Sequence, residues 1–570
     1  MNLRLRVILL IFYLSFLIVV ARLYYWQIYK RKELSVQARN QYTDTSVLKA
    51  KRGEILANDE SWLVANGIAW RLYVSIPDLE IRPEILAEKI APLLVEDKED
   101  KKKLSTEIDK IKNLLGKKNL VWVPIKERID QSTKDKIESL KIKGIEFETQ
   151  DIRVYPEASS AAHLLGFVGK DKEGKDKGYF GLEGYYDLVL SGKPGYLEGE
   201  SDASGTPLVF EKMKKVSAIE GVTLITSINK TIQLILEKNL LKGIEKYSAK
   251  AGSVIVMDPR DGGILGMSSY PSFEPFKYYL YGDSYFLNPV VSSSFEPGSI
   301  FKIVVMAAAL DAQVVRPDTK CDICTGPFRV GNYSIRTWNN VYHPDSSMVD
   351  VIVNSDNVGM SFVGKKLGID KLYDYLNLFG FGNKTGIDLQ GEFSPKLREK
   401  FDWSEIDLAT ASFGQGVAVT PIQMIRAVAA IANDGILVKP HVVEKIVSKD
   451  WDSEVYSGDK KAVISKKAAD EVTAMMVEAA RKGEAKWTYL KGFKVAGKTG
   501  TAQIPIEGHY DKEKTIASFV GFVPYDDPVF VMLVTLKEPS TSPWASETAA
   551  PLWYSIAGEL LTYFGIHPEE

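Results

Sequence analysis

At 570 residues, with 45% hydrophobic and 26% charged side chains, the chain has an ordinary globular composition and room for several domains of roughly 100–200 residues each. Its 72 basic and 74 acidic side chains leave a net charge of −2, which gives no basic surface for nucleic acid. The only two cysteines, Cys321 and Cys324, lack the further ligands of a zinc site, with His343 the only histidine nearby. Their segment reads as loop rather than as a helix start after a strand, so a local disulfide or two idle thiols is expected instead of metal or redox chemistry.

From Val7 to Ala21 the chain is uncharged and mostly apolar before Arg22 interrupts it. Extended to Trp26, the run makes about 20 residues and about 30 Å of helix, enough to cross a hydrocarbon core. Arg22 can snorkel to the interface, and Tyr24, Tyr25 and Trp26 form an aromatic belt. A cleaved signal peptide needs a small-residue site after the apolar stretch. Val19-Val20-Ala21 fits that poorly, and the belt argues for retention, so an uncleaved anchor over residues 7–26 is expected. Both flanks are basic (Arg4 and Arg6; Lys30-Arg31-Lys32), which leaves orientation open by the positive-inside rule.

Residues 34–247 show no single strong period. They mix strand-like sequence (Arg71 to Ser75) with a charged stretch over residues 96–118, read as a solvated loop and then an amphipathic helix carrying Leu104, Ile108, Ile111, Leu114 and Leu115. Glycine-rich turns follow at Leu165 to Gly169, Gly181 to Gly184 and Ser191 to Gly195. From Ala251 the texture changes. Ser253 to Met257 and Ile264 to Ser269 predict a hairpin about a turn over residues 258–263. Helical patterns cover Ile303 to Leu310 and Thr420 to Asn433. Strands return at Ala517 to Val523 and Val529 to Leu536, and an amphipathic helix spans Ala550 to Phe564. Strands at both ends with helices between predict an α+β domain: one antiparallel sheet with a helical subdomain.

Three motifs carry chemistry. In Pro297-Gly298-Ser299-Ile300-Phe301-Lys302, Pro-Gly stops the chain and an apolar helix begins, with Ser299 in its first turn and Lys302 one turn on. A serine hydroxyl needs a base to become a nucleophile, and a lysine serves once burial or a second cation lowers its pKa. Ser227 to Lys230 and Ser457 to Lys460 share the spacing but open no such helix. The second motif, Ser355-Asp356-Asn357, supplies a hydroxyl to pass a proton and an amide to bond both substrate and Lys302. The third is Lys498-Thr499-Gly500-Thr501, whose ammonium and hydroxyls suit a carboxylate. Gly497 and Gly500 are expected to let a ligand lie against the backbone. A second Lys-Thr-Gly, at Lys384 to Gly386, reads as a helix end and loop. Gly492 to Thr499 also satisfies a phosphate-loop pattern, but it lacks the strand before and the helix after that such a loop requires.

Serine-x-x-lysine, serine-aspartate-asparagine and lysine-threonine-glycine in this order form a known signature set. With them stand Arg52-Gly53-Glu54-Ile55, Tyr155-Pro156, Ala161 to Gly169, Gly181-Leu182-Glu183, Gly192 to Gly195, Gly414-Gln415-Gly416 and Thr420 to Met424. On these segments the chain resembles the class B penicillin-binding proteins over nearly its whole length. Two segments depart from the pattern: Leu56 to Trp62 lacks the usual glycine turn, and Ile300 stands where threonine is frequent, on a face turned from the chemistry.

The resemblance implies a short cytoplasmic tail (1–6), the anchor (7–26), a non-catalytic β-rich pedestal (34–247) and a penicillin-binding transpeptidase domain (248–570) outside the plasma membrane. It implies that Ser299 attacks the D-Ala-D-Ala carbonyl of a peptidoglycan stem peptide, and that an amine of a neighbouring strand takes the acyl group. Lys302 would be the base and Ser355 the relay, with Asn357 and Lys498 completing the catalytic set. Thr499, Gly500 and Thr501 would bind substrate, and the N–H groups of Ser299 and Thr501 would form the oxyanion hole. β-Lactams would acylate Ser299. No cofactor, metal or nucleic acid is implied. No glycan-polymerising motif is present, so a membrane glycosyltransferase partner is expected. A serine β-lactamase would need a deacylating carboxylate, for which Glu392 is the candidate. A catalytically inactive scaffold would not need all three motifs.

Overall fold

The computed structural model describes residues 3–95, 100–117, 120–200, 214–448, 452–453, 459–506 and 509–569. Residues 96–99 and 118 of the charged stretch, and Ser457 and Gly458 of the Ser457 to Lys460 segment, lie outside them. The described chain falls into two compact units, one of residues 1–53 and 191–221 and one of residues 54–190 and 222–570.

In the first unit, a helix covers Leu3–Tyr24 and continues as a π-helical turn over Tyr25–Tyr29. No side chain of Leu3–Tyr24 is buried, and Leu3–Tyr29 is long and apolar enough to cross a membrane. A second helix, Arg31–Tyr42, leads into the strand Thr43–Leu48, which pairs antiparallel with Gly195–Glu200, itself paired with Lys214–Val216.

In the second unit, a seven-stranded sheet runs in the order Asp452–Ser453, Val443–Val447, Thr223–Thr226, Ile55–Leu56, Trp62–Ser75 and Trp122–Ile129, with Ile145–Val154 also on Trp62–Ser75. The strand read at Arg71 to Ser75 is the end of this longer one. The amphipathic helix forms as Lys101–Leu115, started by Asp100, whose carboxylate accepts from the N–H groups of Lys102 and Lys103. Ile111 and Leu115 are buried with Leu72, Val74, Leu86 and Ile90.

The five-stranded sheet is antiparallel, in the order Ile264–Tyr270, Ala251–Met257, Phe530–Lys537, His509–Val523, Ala496–Ile506. Alternate residues face opposite sides of a strand, and here both sides are covered. Val254, Val256, Met532 and Val534 pack with Leu236, Leu240, Trp553 and Leu560 of the helices Lys230–Tyr247 and Ala549–Tyr563. Ile255, Met257, Val531 and Leu533 join the helical subdomain on the other side. Burial on both faces explains the unbroken apolar run in the Phe530 strand. Lys230–Tyr247 thus belongs with this sheet, although the sequence reading places it at the end of the pedestal segment. The helix Pro421–Ala432 starts on a capping box, with Thr420 as cap, Pro421 in the first turn and Gln423 reaching back.

Two family segments acquire physical roles. Glu183 is fully buried and accepts from Arg153 Nε at 2.6 Å, while Arg153 Nη1 donates to Asn66. Gly166 and Gly181 hold positive φ where their chains cross, and a Cβ at either would lie within 2.4 Å of a carbonyl oxygen. Removing one member of a buried ion pair leaves the other charge uncompensated. Glu183→Ala is therefore expected to cost about 3–5 kcal/mol of stability, read by denaturant unfolding. A loss under about 1 kcal/mol would show that Arg153 finds water or another partner.

Candidate active site

Ser299 sits on a 3-10 turn, Gly298–Phe301, that runs into the helix Lys302–Asp311. The helix is therefore tightened at its start, and Ser299 precedes its α-helical part. The turn is held from several sides. Phe295 and Val419 exchange backbone hydrogen bonds of 2.9 Å, and Gly298 N donates to Gly414 O at 3.0 Å. Glu296 accepts from Gly416 N at 3.0 Å and from the Tyr510 hydroxyl at 3.1 Å.

The buried Ile300 points under the edge strand Ala496–Ile506. A Cβ at Gly500 would lie 2.8 Å from both Ile300 Cγ2 and Ser518 Oγ, and one at Gly497 would lie 2.6 Å from the Phe519 ring. The space a Cβ would take at these glycines is filled by protein side chains, and Gly500 allows the serine-bearing turn to pack against the strand.

Lys302 is fully buried. Its Nζ donates to Ser355 O at 2.6 Å, to Ser355 Oγ at 3.2 Å and to Asn357 Oδ1 at 2.8 Å. Lys498 Nζ reaches Ser355 Oγ at 3.0 Å and Thr499 Oγ1 at 3.2 Å. Ser355 is thus the hinge between the two amines. It sits at φ 55°, a left-handed conformation costly for serine and typical of functional sites. It is fixed from behind by Asp356, whose Oδ1 accepts from Val358 N and Gly359 N at the start of the helix Asn357–Leu378. Asn357 Nδ2 donates to Arg336 O.

Thr501 Oγ1 accepts from Ala545 N at 3.0 Å. Ser299, Ser355, Asn357, Thr499 and Thr501 line one cleft, together with Trp338, Trp544 and Glu484. The two indoles lie 5.2 Å apart and are partly exposed. Neither they nor Glu484 carried a motif in the sequence. They reach the cleft through tertiary packing, and only their type, aromatic or acidic, could have marked them.

The remaining sequence candidates lie elsewhere. Glu392 accepts from Thr385 N and Oγ1, both at 2.6 Å, and from Gly386 N at 3.1 Å. It therefore stabilises the loop of the second Lys-Thr-Gly and is not among the residues of the cleft. Lys498 lies within a strand that continues to Ile506, which removes the phosphate-loop reading. Ser227 Oγ donates to carbonyls of Ile264 and Val442. Cys321 and Cys324 are buried and joined as a disulfide. Among the described residues no cluster of histidine, cysteine and carboxylates is suited to a metal.

Burial, reinforced by the Lys498 charge, holds the Lys302 amine well below the ordinary lysine range, against the opposing pull of Asp356 and Glu484. Burial also lowers Lys498, opposed by Glu484. Between the lowered folded pKa of Lys302 and the free-lysine value of about 10.4, the unfolded chain binds the extra proton. Burying Lys302 therefore costs stability at neutral pH, and the cost fades as pH rises. The stability of Lys302→Met relative to wild type is expected to fall as pH is raised from about 7 towards about 10, measured as the difference in urea unfolding free energies. A difference flat with pH would mean that the amine keeps its proton.

The profile of the penicillin binding protein transpeptidase domain matches residues 252–558, and that of the penicillin-binding protein dimerisation domain matches residues 47–226. The chain is 32% identical to stage V sporulation protein D of Bacillus subtilis over 100% of its own length and 86% of the relative's. It is 28% identical to the probable peptidoglycan D,D-transpeptidase PenA of Neisseria gonorrhoeae, over 100% and 94%. Among solved structures, penicillin-binding protein 3 of Mycobacterium tuberculosis in complex with aztreonam superposes with a TM-score of 0.69 at 25% identity, covering 92% of this chain and 98% of that one. Two matched domains in this order, and a relative of this identity along the whole chain, show that the chain belongs to the class B penicillin-binding proteins.

Proposed function

We propose that the chain is a peptidoglycan D,D-transpeptidase that works through an acyl-enzyme on Ser299 and is acylated there by β-lactams. The observation that carries this reading is the buried Lys302 amine, hydrogen-bonded to Ser355 and Asn357 beside Lys498, in the cleft that Ser299 lines. A lysine held neutral is a base at physiological pH. The amine takes the Ser299 proton as Oγ bonds to the D-Ala-D-Ala carbonyl carbon. The proton then passes through Ser355 to the departing D-Ala nitrogen as the C–N bond breaks. An acceptor amine attacks the ester, its proton returns to Ser299 Oγ, and the cross-link is complete. Lys498 and the Thr501 hydroxyl hold the substrate carboxylate. Oxyanion stabilisation falls to the N–H groups of Ser299 and Thr501. The names of the relatives support the activity, and the bound aztreonam of the superposed structure supports the inhibitor class.

The helix Leu3–Tyr29 supports membrane anchoring. The substrate lies outside the plasma membrane, so the bulk of the chain would lie there too, with a glycosyltransferase partner supplying glycan strands. Fluorescent penicillin is expected to label the protein, with the adduct on the Ser299 peptide and no labelling of Ser299→Ala. Equal labelling of Ser299→Ala would refute the assignment, and rapid hydrolysis of the drug would favour a β-lactamase.

A further inference from the structure

Glu484 stands in the cleft, and the three motifs leave it without a role. It follows the helix Lys466–Lys482 across Gly483, where a Cβ would lie 2.4 Å from Ala479 O. The Glu484 carboxylate lines the space shared with Ser299, Ser355 and Thr499, and also a small void against Gly497, Lys498 and Phe519. Its Oε2 is 3.4 Å from Thr499 Oγ1, at the outer edge of hydrogen-bond reach. The same hydroxyl is 3.2 Å from Lys498 Nζ, which is 3.0 Å from Ser355 Oγ, which is 3.2 Å from Lys302 Nζ. One polar chain thus runs from Glu484 to the base.

The direction of these bonds matters. A threonine hydroxyl has one hydrogen, and an ammonium only donates. Thr499 Oγ1 therefore accepts from Lys498 and turns its own hydrogen to Glu484. Thr501 is arranged the other way: its Oγ1 accepts from Ala545 N, and its hydrogen remains for the cleft. We propose that Glu484 is a positioning residue of the acylation machinery. Its fixed negative charge keeps the proton of the lysine pair on Lys498 and turns the Thr499 hydroxyl inward, leaving Thr501 as the hydroxyl donor to the substrate carboxylate. This deepens the function proposed above and rests on it.

The charged groups facing the lysine pair are Glu484 after its helix and Asp356 from the turn before Asn357, with each lysine facing the other. Asp356 acts on Lys302, while Glu484 favours the charged form of both lysines. Asp356 Oδ2 is itself buried and without a hydrogen-bond partner among the described residues. The pair titrates in two joint steps. Acylation fails on the acid side when Lys302 holds a proton and on the alkaline side when Lys498 loses its own. Without Glu484 both limbs move the same way, to lower pH.

The test is the rate of acylation of the full-length protein by fluorescent penicillin as a function of pH, for wild type, Glu484→Gln and Glu484→Asp. The Gln variant is expected to move the whole bell to lower pH by about one unit, with Asp staying near wild type. Glu484→Thr removes the same charge with a smaller side chain and serves where Gln fails to fold. A merely structural role would lower the height of the bell and leave its position. A charge-free variant whose bell keeps the wild-type position, or moves to higher pH, overturns the proposal. Wild-type protein that is never acylated overturns the functional reading instead.

Discussion

Lys302 has no contact with solvent, and taking a charged ammonium out of water costs several kcal/mol even after the surroundings relax. The structure around it is consistent with an amine that has shed its proton. The apolar helix removes water, Lys498 adds like charge, and Ser355 and Asn357 provide oxygens that an uncharged amine can still address. Most features of the site follow from this one constraint. Ser355 adopts a strained backbone so that both its carbonyl and its hydroxyl reach the amines. Asp356 occupies the helix start behind it and fixes that conformation.

The five-stranded sheet sets where these groups can meet. Helices cover both of its faces, so the edge at Ala496–Ile506 is where a cleft can form, and the Ser299 turn lies against that edge. Glycine at position 500 sets how closely the turn approaches, because Ile300 and Ser518 fill the volume its side chain would take. This motif glycine therefore acts as a spacing element between nucleophile and strand. The Trp338 and Trp544 pair gives the cleft an apolar, partly exposed flank.

Legibility in the sequence followed the range of the interactions. The hairpin at Ala251–Met257 and Ile264–Tyr270, the capped helix from Pro421 and the amphipathic helix Lys101–Leu115 depend on residues close in the chain, and their patterns were readable. The serine, lysine and asparagine positions that the structure gathers around Lys302 were readable because their types and order are distinctive. Glu484, Trp338 and Trp544 were not, since a lone acidic or aromatic residue carries no periodicity and its exposure to the cleft is a property of the folded whole. The packing of Lys230–Tyr247 on the five-stranded sheet was hidden for the same reason. Its apolar face marks a helix and not its neighbour. The double burial of the Phe530 strand could be suspected from its unbroken apolar run, but which layers cover it could not.

The seven-stranded sheet joins parts of the chain that emerge far apart during synthesis. Ile55–Leu56 pairs in parallel with Thr223–Thr226, which pairs in turn with Val443–Val447. Asp388 ties the last of these down by accepting from the N–H groups of Val442 and Val443 and from the Tyr186 hydroxyl. The early strands therefore wait with an open edge until more than two hundred further residues have left the ribosome. Such late, long-range closure is slow and exposes strand edges to other chains. Cutting the chain between pedestal and catalytic segments would leave the same edge bare. Residues 54–190 and 222–226 of the dimerisation-domain match thus fall in one compact unit with the whole of the separately matched transpeptidase region.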